Sequence, residues 1–106
     1  MPSTKEYLSF IMDQLSELDG IRFQAMMGEY ILYYRDRIFG GIYDDRLLVK
    51  PVAAALRMMP DAETELPYDG AKAMLLVGDV DNRAFLCELV HNMWEELPEK
   101  KKRAGK

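Results

Sequence analysis

The short links between apolar segments in residues 21–50 constrain the fold of this 106-residue chain more than any other feature. Alternating, β-branched and aromatic segments, which are typical of strands, are separated by turns at Gly28-Glu29, Asp36-Arg37 and Asp44-Asp45-Arg46. A parallel crossover needs about a dozen residues, so links this short allow only antiparallel hairpins. We therefore predict a meander of three or four strands.

Helical periodicity lies on both sides of this meander. Apolar stripes predict helices over 3–18 and 82–97, and three consecutive alanines between Pro51 and Pro60 predict a short helix over 52–59. Ser3 and Glu6 form a capping-box pattern at the first helix, and Asp81 is the expected cap of the last. An acidic irregular segment at 61–70 precedes a further strand at 72–77. The predicted fold class is α+β, an antiparallel sheet of four to six strands in the order α-β(3–4)-α-β(1–2)-α with the helices packed on the sheet.

Charge divides the chain into two parts. The formal net charge is −4, yet all eighteen acidic residues lie in residues 1–99, which have a net charge of −9. Residues 100–106 contain the other five cations, namely Lys100, Lys101, Lys102, Arg103 and Lys106. We predict one domain over 1–98 and a basic flexible tail over 99–106.

The apolar content is typical of a globular domain rather than of a membrane protein. The sequence contains no run of about 18 apolar residues, and its first residues lead into no long apolar stretch. Its single cysteine, Cys87, cannot form an internal disulfide, which is typical of a reducing compartment. We therefore expect no membrane span, no secretory signal and a cytoplasmic location.

Few residues could carry catalysis or hold a metal ion. Cys87 and His91 lie one helical turn apart, but zinc needs three or four ligands and the sequence has no other Cys or His. No third group is placed by sequence to orient His91 for nucleophilic chemistry. We expect no catalytic residue, no metal ion and no cofactor.

Short motifs in the meander have structural interpretations. We interpret Asp44-Asp45 as turn formers, and Gly40-Gly41 as a bulge or a close backbone approach rather than a phosphate loop. Met26-Met27 is interpreted as adaptable core filling. The aromatic residues of the meander are expected to pack under the helices or pair across strands. They are Tyr30, Tyr33, Tyr34, Phe39 and Tyr43.

The same motifs resemble the N-terminal domain of the TfoX/Sxy proteins, which are bacterial regulators of natural competence. The resemblance covers residues 3 to about 97, with Met27 where Phe is usual and Arg37 where glycine is common. The resemblance implies an α+β fold and a non-enzymatic role in gene regulation or protein interaction. It also implies that the residues of the shared motifs have structural roles. Longer members carry a second helical domain. A competence-activator function that depends on that domain is therefore not implied for these 106 residues. The motif residues are Met26, Gly28, Gly40, Gly41, Asp44, Asp45 and Lys50.

Three functions remain open from the sequence. The first is a regulatory domain, a monomer or homodimer, that binds another protein through the acidic residues Asp61, Glu63, Glu65 and Asp69. The second is nucleic-acid binding through the basic tail together with the meander arginines Arg22, Arg35, Arg37 and Arg46. The third is a small-ligand binder or an enzyme that uses a pocket between the sheet and the closing helix.

Overall fold

A computed structural model describes residues 3–67 and 70–97 and confirms the predicted fold class, an antiparallel sheet with helices packed on it. The helices of the described residues are α1 (Lys5–Gln14), α2 (Ala53–Met58) and α3 (Arg83–Met93), the last continued by a 3₁₀ turn at Trp94–Glu96. The strands are β1 (Ile21–Met26), β2 (Glu29–Tyr34), β3 (Arg37–Tyr43), β4 (Arg46–Val49), β5 (Thr64–Glu65) and β6 (Met74–Leu76). They form a six-stranded sheet in the order β1-β2-β3-β4-β6-β5, and every neighbouring pair is antiparallel.

Three tight hairpins connect β1 to β4. Their central residues are Met27-Gly28, Arg35-Asp36 and Asp44-Asp45, and all six have a positive φ, as type I′ turns require. The predicted turns at Gly28-Glu29 and Asp36-Arg37 are therefore displaced by one residue. Glu29 and Arg37 already pair with Met26 and Tyr34 across the strands.

Gly40 and Gly41 lie where a side chain would meet neighbouring atoms. The register between β2 and β3 shifts at Leu32/Tyr33, beside Gly40. A Cβ on Gly40 would lie 2.8 Å from the Cα of Val49, and one on Gly41 would lie 2.7 Å from the Tyr43 ring. This confirms the interpretation of the pair as a bulge with close approach.

The helices cover one face of the sheet. The strand residues on this face share one apolar core with Ile11 of α1, with its C-cap residue Leu15, and with Leu86, Leu89 and Met93 of α3. The strand members of the core are Leu32, Tyr34, Phe39, Ile42, Leu47, Val49 and Leu75. They alternate along the strands with residues of the opposite face, as a half-covered sheet requires.

The opposite face is only partly covered. Ile31, Gly41, Leu48 and Leu76 are register partners on this face. Leu48 is fully buried, and the Tyr43 ring lies against Gly41. A cleft of about 440 Å³ separates Ile38 and Tyr43 from the segment 71–74.

The helix caps differ from the sequence predictions. Thr4, not Ser3, caps α1 by accepting a hydrogen bond from the Tyr7 N–H, because the Ser3 hydroxyl instead donates to Glu29. Asn82, not Asp81, caps α3 by accepting from the Phe85 N–H.

Two further features separate the observed elements from the predicted ones. Helix α1 ends at Gln14 rather than at residue 18. Strand β5 lies in the segment predicted to be irregular, where pairing with β6 supplies its hydrogen-bond partners. None of the helices within 3–67 and 70–97 combines the length and apolar composition that crossing a bilayer requires.

Candidate functional site

Of the acidic residues predicted as a partner surface, the structure describes Asp61, Glu63 and Glu65. Asp61 and Glu63 are exposed, whereas Glu65 forms an ion pair with Arg46, which itself lies across the sheet on β4. Asp69 lies outside the described residues. The ion pair engages the Glu65 carboxylate, and among the three described members of this set Asp61 and Glu63 are the exposed ones.

The predicted nucleic-acid tail lies outside the described residues, which end at Leu97. Its cations are Lys100, Lys101, Lys102, Arg103 and Lys106. Leu97 is buried directly after the 3₁₀ turn, and its N–H donates to the Trp94 carbonyl at 3.1 Å.

Cys87 and His91 have separate surroundings. The Cys87 thiol donates to the carbonyl of Gln14 at 3.4 Å, and burial, followed by the nearby Glu17 carboxylate, raises the pKa of this thiol. His91 is exposed, and its Nδ1 lies 3.3 Å from the Tyr34 hydroxyl. Among the residues that the structure describes, no three His, Cys, Asp or Glu side chains are grouped to hold a metal ion.

The motif residues at the β3–β4 turn fasten the start of the chain to the sheet. The Asp45 carboxylate accepts from the Thr4 N–H at 2.8 Å, and the Asp45 N–H donates to the Ser3 hydroxyl at 3.1 Å. Glu29 accepts from the Ser3 hydroxyl at 2.7 Å and from the Asp44 N–H at 3.1 Å. The Ser3 N–H donates to the carbonyl of Gly28 at 3.0 Å. These contacts give Gly28, Asp44 and Asp45 structural roles in the hairpins.

Three meander arginines, Arg22, Arg35 and Arg37, each lie against an aromatic ring, and Arg22 is also ion-paired with Asp36 at 3.2 Å. The Arg22 guanidinium lies 4.4 Å from the centre of the Tyr33 ring, and that of Arg35 lies 5.0 Å from the Tyr34 ring. Arg37 lies 4.0 Å from the Trp94 ring and donates to the Trp94 carbonyl at 2.9 Å. Arg46 instead forms an ion pair with Glu65. Sequence proximity brought these arginines to attention, but nothing in the sequence pointed to Trp94 as the partner of Arg37.

A cleft of about 280 Å³ lies beside Arg35. Its lining consists of Tyr34, Arg35, His91, Asn92, Trp94 and Glu95. Within the described residues, the Trp94 indole Nε1 is the buried side-chain nitrogen or oxygen that has no hydrogen-bond partner. The cleft therefore combines cationic and amide donors with aromatic surface and one carboxylate.

An apolar groove of about 560 Å³ lies on the partly covered face, and we call it the methionine groove. Met26, Met27, Glu29, Ile31, Tyr43 and Pro67 line it. Met26 is 50% exposed and Met27, at the β1–β2 turn, is 96% exposed. The prediction that these methionines fill the core is wrong, because the turn at Met27-Gly28 carries both of them to the rim of the sheet.

These features define a small α+β domain with one helix-covered sheet face and two exposed surfaces of contrasting chemistry. Over 84 residues, 79% of this chain and 73% of the relative, the sequence is 33% identical to the "Uncharacterized 12.7 kDa protein in trpE 5'region" of Spirochaeta aurantia. The chain belongs to the family of that protein. No family model matches the chain, and no solved structure matches it.

Proposed function

We propose that this chain is a non-enzymatic regulatory domain of the TfoX N-terminal kind and that it acts by binding another protein through the methionine groove. The observation that carries the proposal is the exposure of Met26 and Met27 beside Ile31 and Tyr43 on the partly covered sheet face. Exposed apolar grooves with a polar rim are typical of protein interaction sites.

The chemistry of the groove favours a protein segment as the ligand. Methionine side chains are flexible and polarizable, so they adapt to the apolar side chains of a partner. Strand β1 borders the groove as the sheet edge, and each of its residues after Ile21 is exposed. An extended segment can pair with such an edge and place alternate side chains in the adjacent groove.

The negative charge of the domain favours a positively charged segment as the ligand. Residues 1–99 have a net charge of −9, and Glu29 lies in the groove wall. Such a surface attracts positively charged partners and repels acidic ones. The proposed ligand is therefore an extended segment in which apolar residues alternate with Lys or Arg.

The test compares, in the host cell, two variants in which Glu replaces exposed apolar residues. Met26→Glu together with Met27→Glu introduces carboxylates into the groove. Leu56→Glu introduces one on α2 at an apolar residue that is 49% exposed, close to the 50% of Met26. Each variant replaces the wild-type chain, and transcript levels are measured alongside partners recovered by crosslinking and affinity capture.

We expect the groove variant to lose a captured partner and the transcript changes that depend on the wild-type chain. The Leu56→Glu variant is expected to keep both. The recovered partner is then titrated in purified form, and synthetic peptides identify the segment that binds. If deletion of the chain changes no transcript, or if both variants keep the same partners, the proposal is wrong.

A further inference from the structure

We propose that the cleft beside Arg35 binds a free α-amino acid in its zwitterionic form. This cleft of about 280 Å³ lies between the end of β2 and the end of α3, and Arg35, Asn92 and Glu95 are among its lining residues. The inference goes beyond protein docking at the methionine groove and does not rest on it. The described residues that line the cleft differ from those that line the groove.

The cleft presents one positive and one negative side chain that are not paired with each other. Within residues 3–67 and 70–97, neither Arg35 nor Glu95 forms an ion pair. Both side chains are exposed, and both line the same small cleft. A free α-amino acid has a carboxylate and an ammonium group on one carbon atom. It can therefore form a charge-assisted hydrogen bond with each of the two side chains at once.

Contacts with two neighbouring residues hold Arg35 in place. Its backbone N–H donates to the Gly20 carbonyl at 3.0 Å, and its guanidinium lies 5.0 Å from the centre of the Tyr34 ring. A Cβ on Gly20 would lie 3.1 Å from the Arg35 Cγ, so the aliphatic stem of Arg35 packs closely on this glycine. A guanidinium that is already ordered loses less conformational freedom when it binds a carboxylate, and its planar N–H groups match the two carboxylate oxygens.

The backbone conformation of Arg35 is strained for a long side chain. Its φ is 49°, a value that Asn, Asp and Gly adopt more readily than Arg. Asn is a preferred residue at this position of a type I′ turn. Strained backbone positions cluster at ligand-binding sites, where the strain is retained for function. The conformation of Arg35 therefore supports a binding role for its side chain.

The other lining residues add hydrogen-bonding groups and ring surface. The Nδ1 of His91 lies 3.3 Å from the Tyr34 hydroxyl, which positions the imidazole ring at the cleft wall. The Asn92 side chain is exposed, and its nitrogen also lies 3.6 Å from the Met58 sulfur. A carboxamide can accept from an ammonium group or donate to a carboxylate. Half-buried Trp94 adds ring surface against which the side chain of the amino acid can pack.

The charge of the domain favours a zwitterion over a simple anion. Residues 1–99 have a net charge of −9, which repels free carboxylates and phosphates. A zwitterion has no net charge and is not repelled in this way. Arg35 in turn disfavours an amine that lacks a carboxylate. The cleft volume is at the lower end of the range for ligand pockets, which limits the ligand to a small molecule.

The single tryptophan of the protein provides a direct measurement at this cleft. Trp94 is the one tryptophan of the sequence, so an amide proton–nitrogen correlation spectrum of the full chain contains one indole N–H resonance. The common amino acids are added singly at up to about 10 mM, above a weak dissociation constant of about 1 mM. We expect at least one of them to shift the indole resonance of Trp94 and the backbone resonance of Arg35.

Two analogues of the tightest-binding amino acid test whether both charged groups are recognised. One analogue lacks the ammonium group, and the other lacks the carboxylate. Each is expected to bind about tenfold more weakly than the amino acid, since each loses a hydrogen bond between charged groups.

Substitutions of the two charged residues assign their roles. Arg35→Asn removes the cation and relieves the turn, so we expect about tenfold weaker binding with a thermal unfolding temperature at or above that of the wild type. Glu95→Gln is expected to abolish the preference for the amino acid over its ammonium-free analogue. Arg83→Gln and Glu88→Gln remove the same charges elsewhere on α3 and are expected to leave binding unchanged.

The methionine-groove variant separates the two proposals. The chain with Met26→Glu and Met27→Glu is expected to keep amino-acid binding, so failure of protein docking leaves this site intact. The proposal is overturned if no amino acid shifts the Trp94 and Arg35 resonances, or if the ammonium-free analogue binds as tightly as the amino acid. Equal effects of Arg35→Asn and Arg83→Gln on binding would also overturn it.

Discussion

The Glu96 carboxylate accepts a hydrogen bond from the backbone N–H of Ala54, with 2.7 Å between Oε1 and N. Helix α2 begins after Val52, whose side chain cannot cap it. Glu96 lies 42 residues further along the chain, at the end of the 3₁₀ turn. One of the free donors at the start of α2 is thus satisfied from a different part of the molecule.

We expect Glu96→Ala to lower the free energy of unfolding by about 1 kcal/mol, the typical cost of losing a cap. Glu96→Gln keeps an acceptor oxygen and should lose less. The free energies are measured by urea denaturation. Glu88→Ala, at an exposed glutamate on α3, is the control, and an equal loss in that variant would refute the role of Glu96.

Gly41→Ala is expected to destabilise the domain by about 1–3 kcal/mol, the usual range for overpacking. The added Cβ would lie 2.6 Å from the Tyr30 carbonyl oxygen and 2.7 Å from the Tyr43 ring. Gly78→Ala is the matched control, because a Cβ there meets no heavy atom within 4 Å. Thermal and urea unfolding of both variants test this prediction, which fails if the two substitutions have the same effect.

Asp45→Ala should cost about 2 kcal/mol, since Ala is strained at positive φ and the acceptor for Thr4 is lost. Asp45 has a φ of 56° and accepts from the Thr4 N–H at 2.8 Å. Asp45→Asn keeps a side-chain oxygen and tolerates this backbone conformation, so we expect a loss below about 1 kcal/mol. Equal destabilisation of the two variants in urea denaturation would contradict this explanation.

Tyr7 is expected to make stability fall at alkaline pH. Burial, followed by the charge of Asp45, raises the pKa of the Tyr7 phenol above its ordinary value of 10.0. The folded state therefore holds this proton more tightly than the unfolded state. The resulting stabilisation is fully present below pH 10.0 and is lost as the pH rises through the raised pKa of the folded state.

The measurement compares the wild-type chain with Tyr7→Phe by urea unfolding at about pH 8 and about pH 11, on either side of the ordinary phenol pKa. Tyr7→Phe has no phenol to ionise, so its stability should fall less between the two pH values. Parallel pH dependences in the two chains would show that Tyr7 contributes nothing to alkaline unfolding.

The sheet could be predicted because its determinants are local. Two-residue links such as Asp44-Asp45 force an antiparallel hairpin whatever surrounds them, and alternation assigns Leu32 and Tyr34 to one face. Gly40 and Gly41 likewise predicted a close approach of neighbouring atoms to the backbone, and the structure shows that approach at both residues. The same local logic misplaced the caps of α1 and α3, because adjacent polar residues compete for that position.

The two candidate surfaces depended on contacts that sequence spacing does not encode. Met26 and Met27 have the composition of core residues, and only the direction of the β1–β2 turn exposes them. The meander arginines were visible as a group, but the structure pairs Arg46 with Glu65 and Arg22 with Asp36.

By itself the sequence determined the hairpins, the helix periodicity and the division between an acidic body and a basic tail, since each depends on neighbours within a few residues. Only the tertiary structure decided which aromatic ring or carboxylate each meander arginine contacts. Arg37 and Trp94 are 57 positions apart along the chain, yet a 2.9 Å hydrogen bond joins them. That contact exists because α3 packs across the sheet to bury its apolar stripe. The position of a packed helix depends on the whole core rather than on either of these two residues.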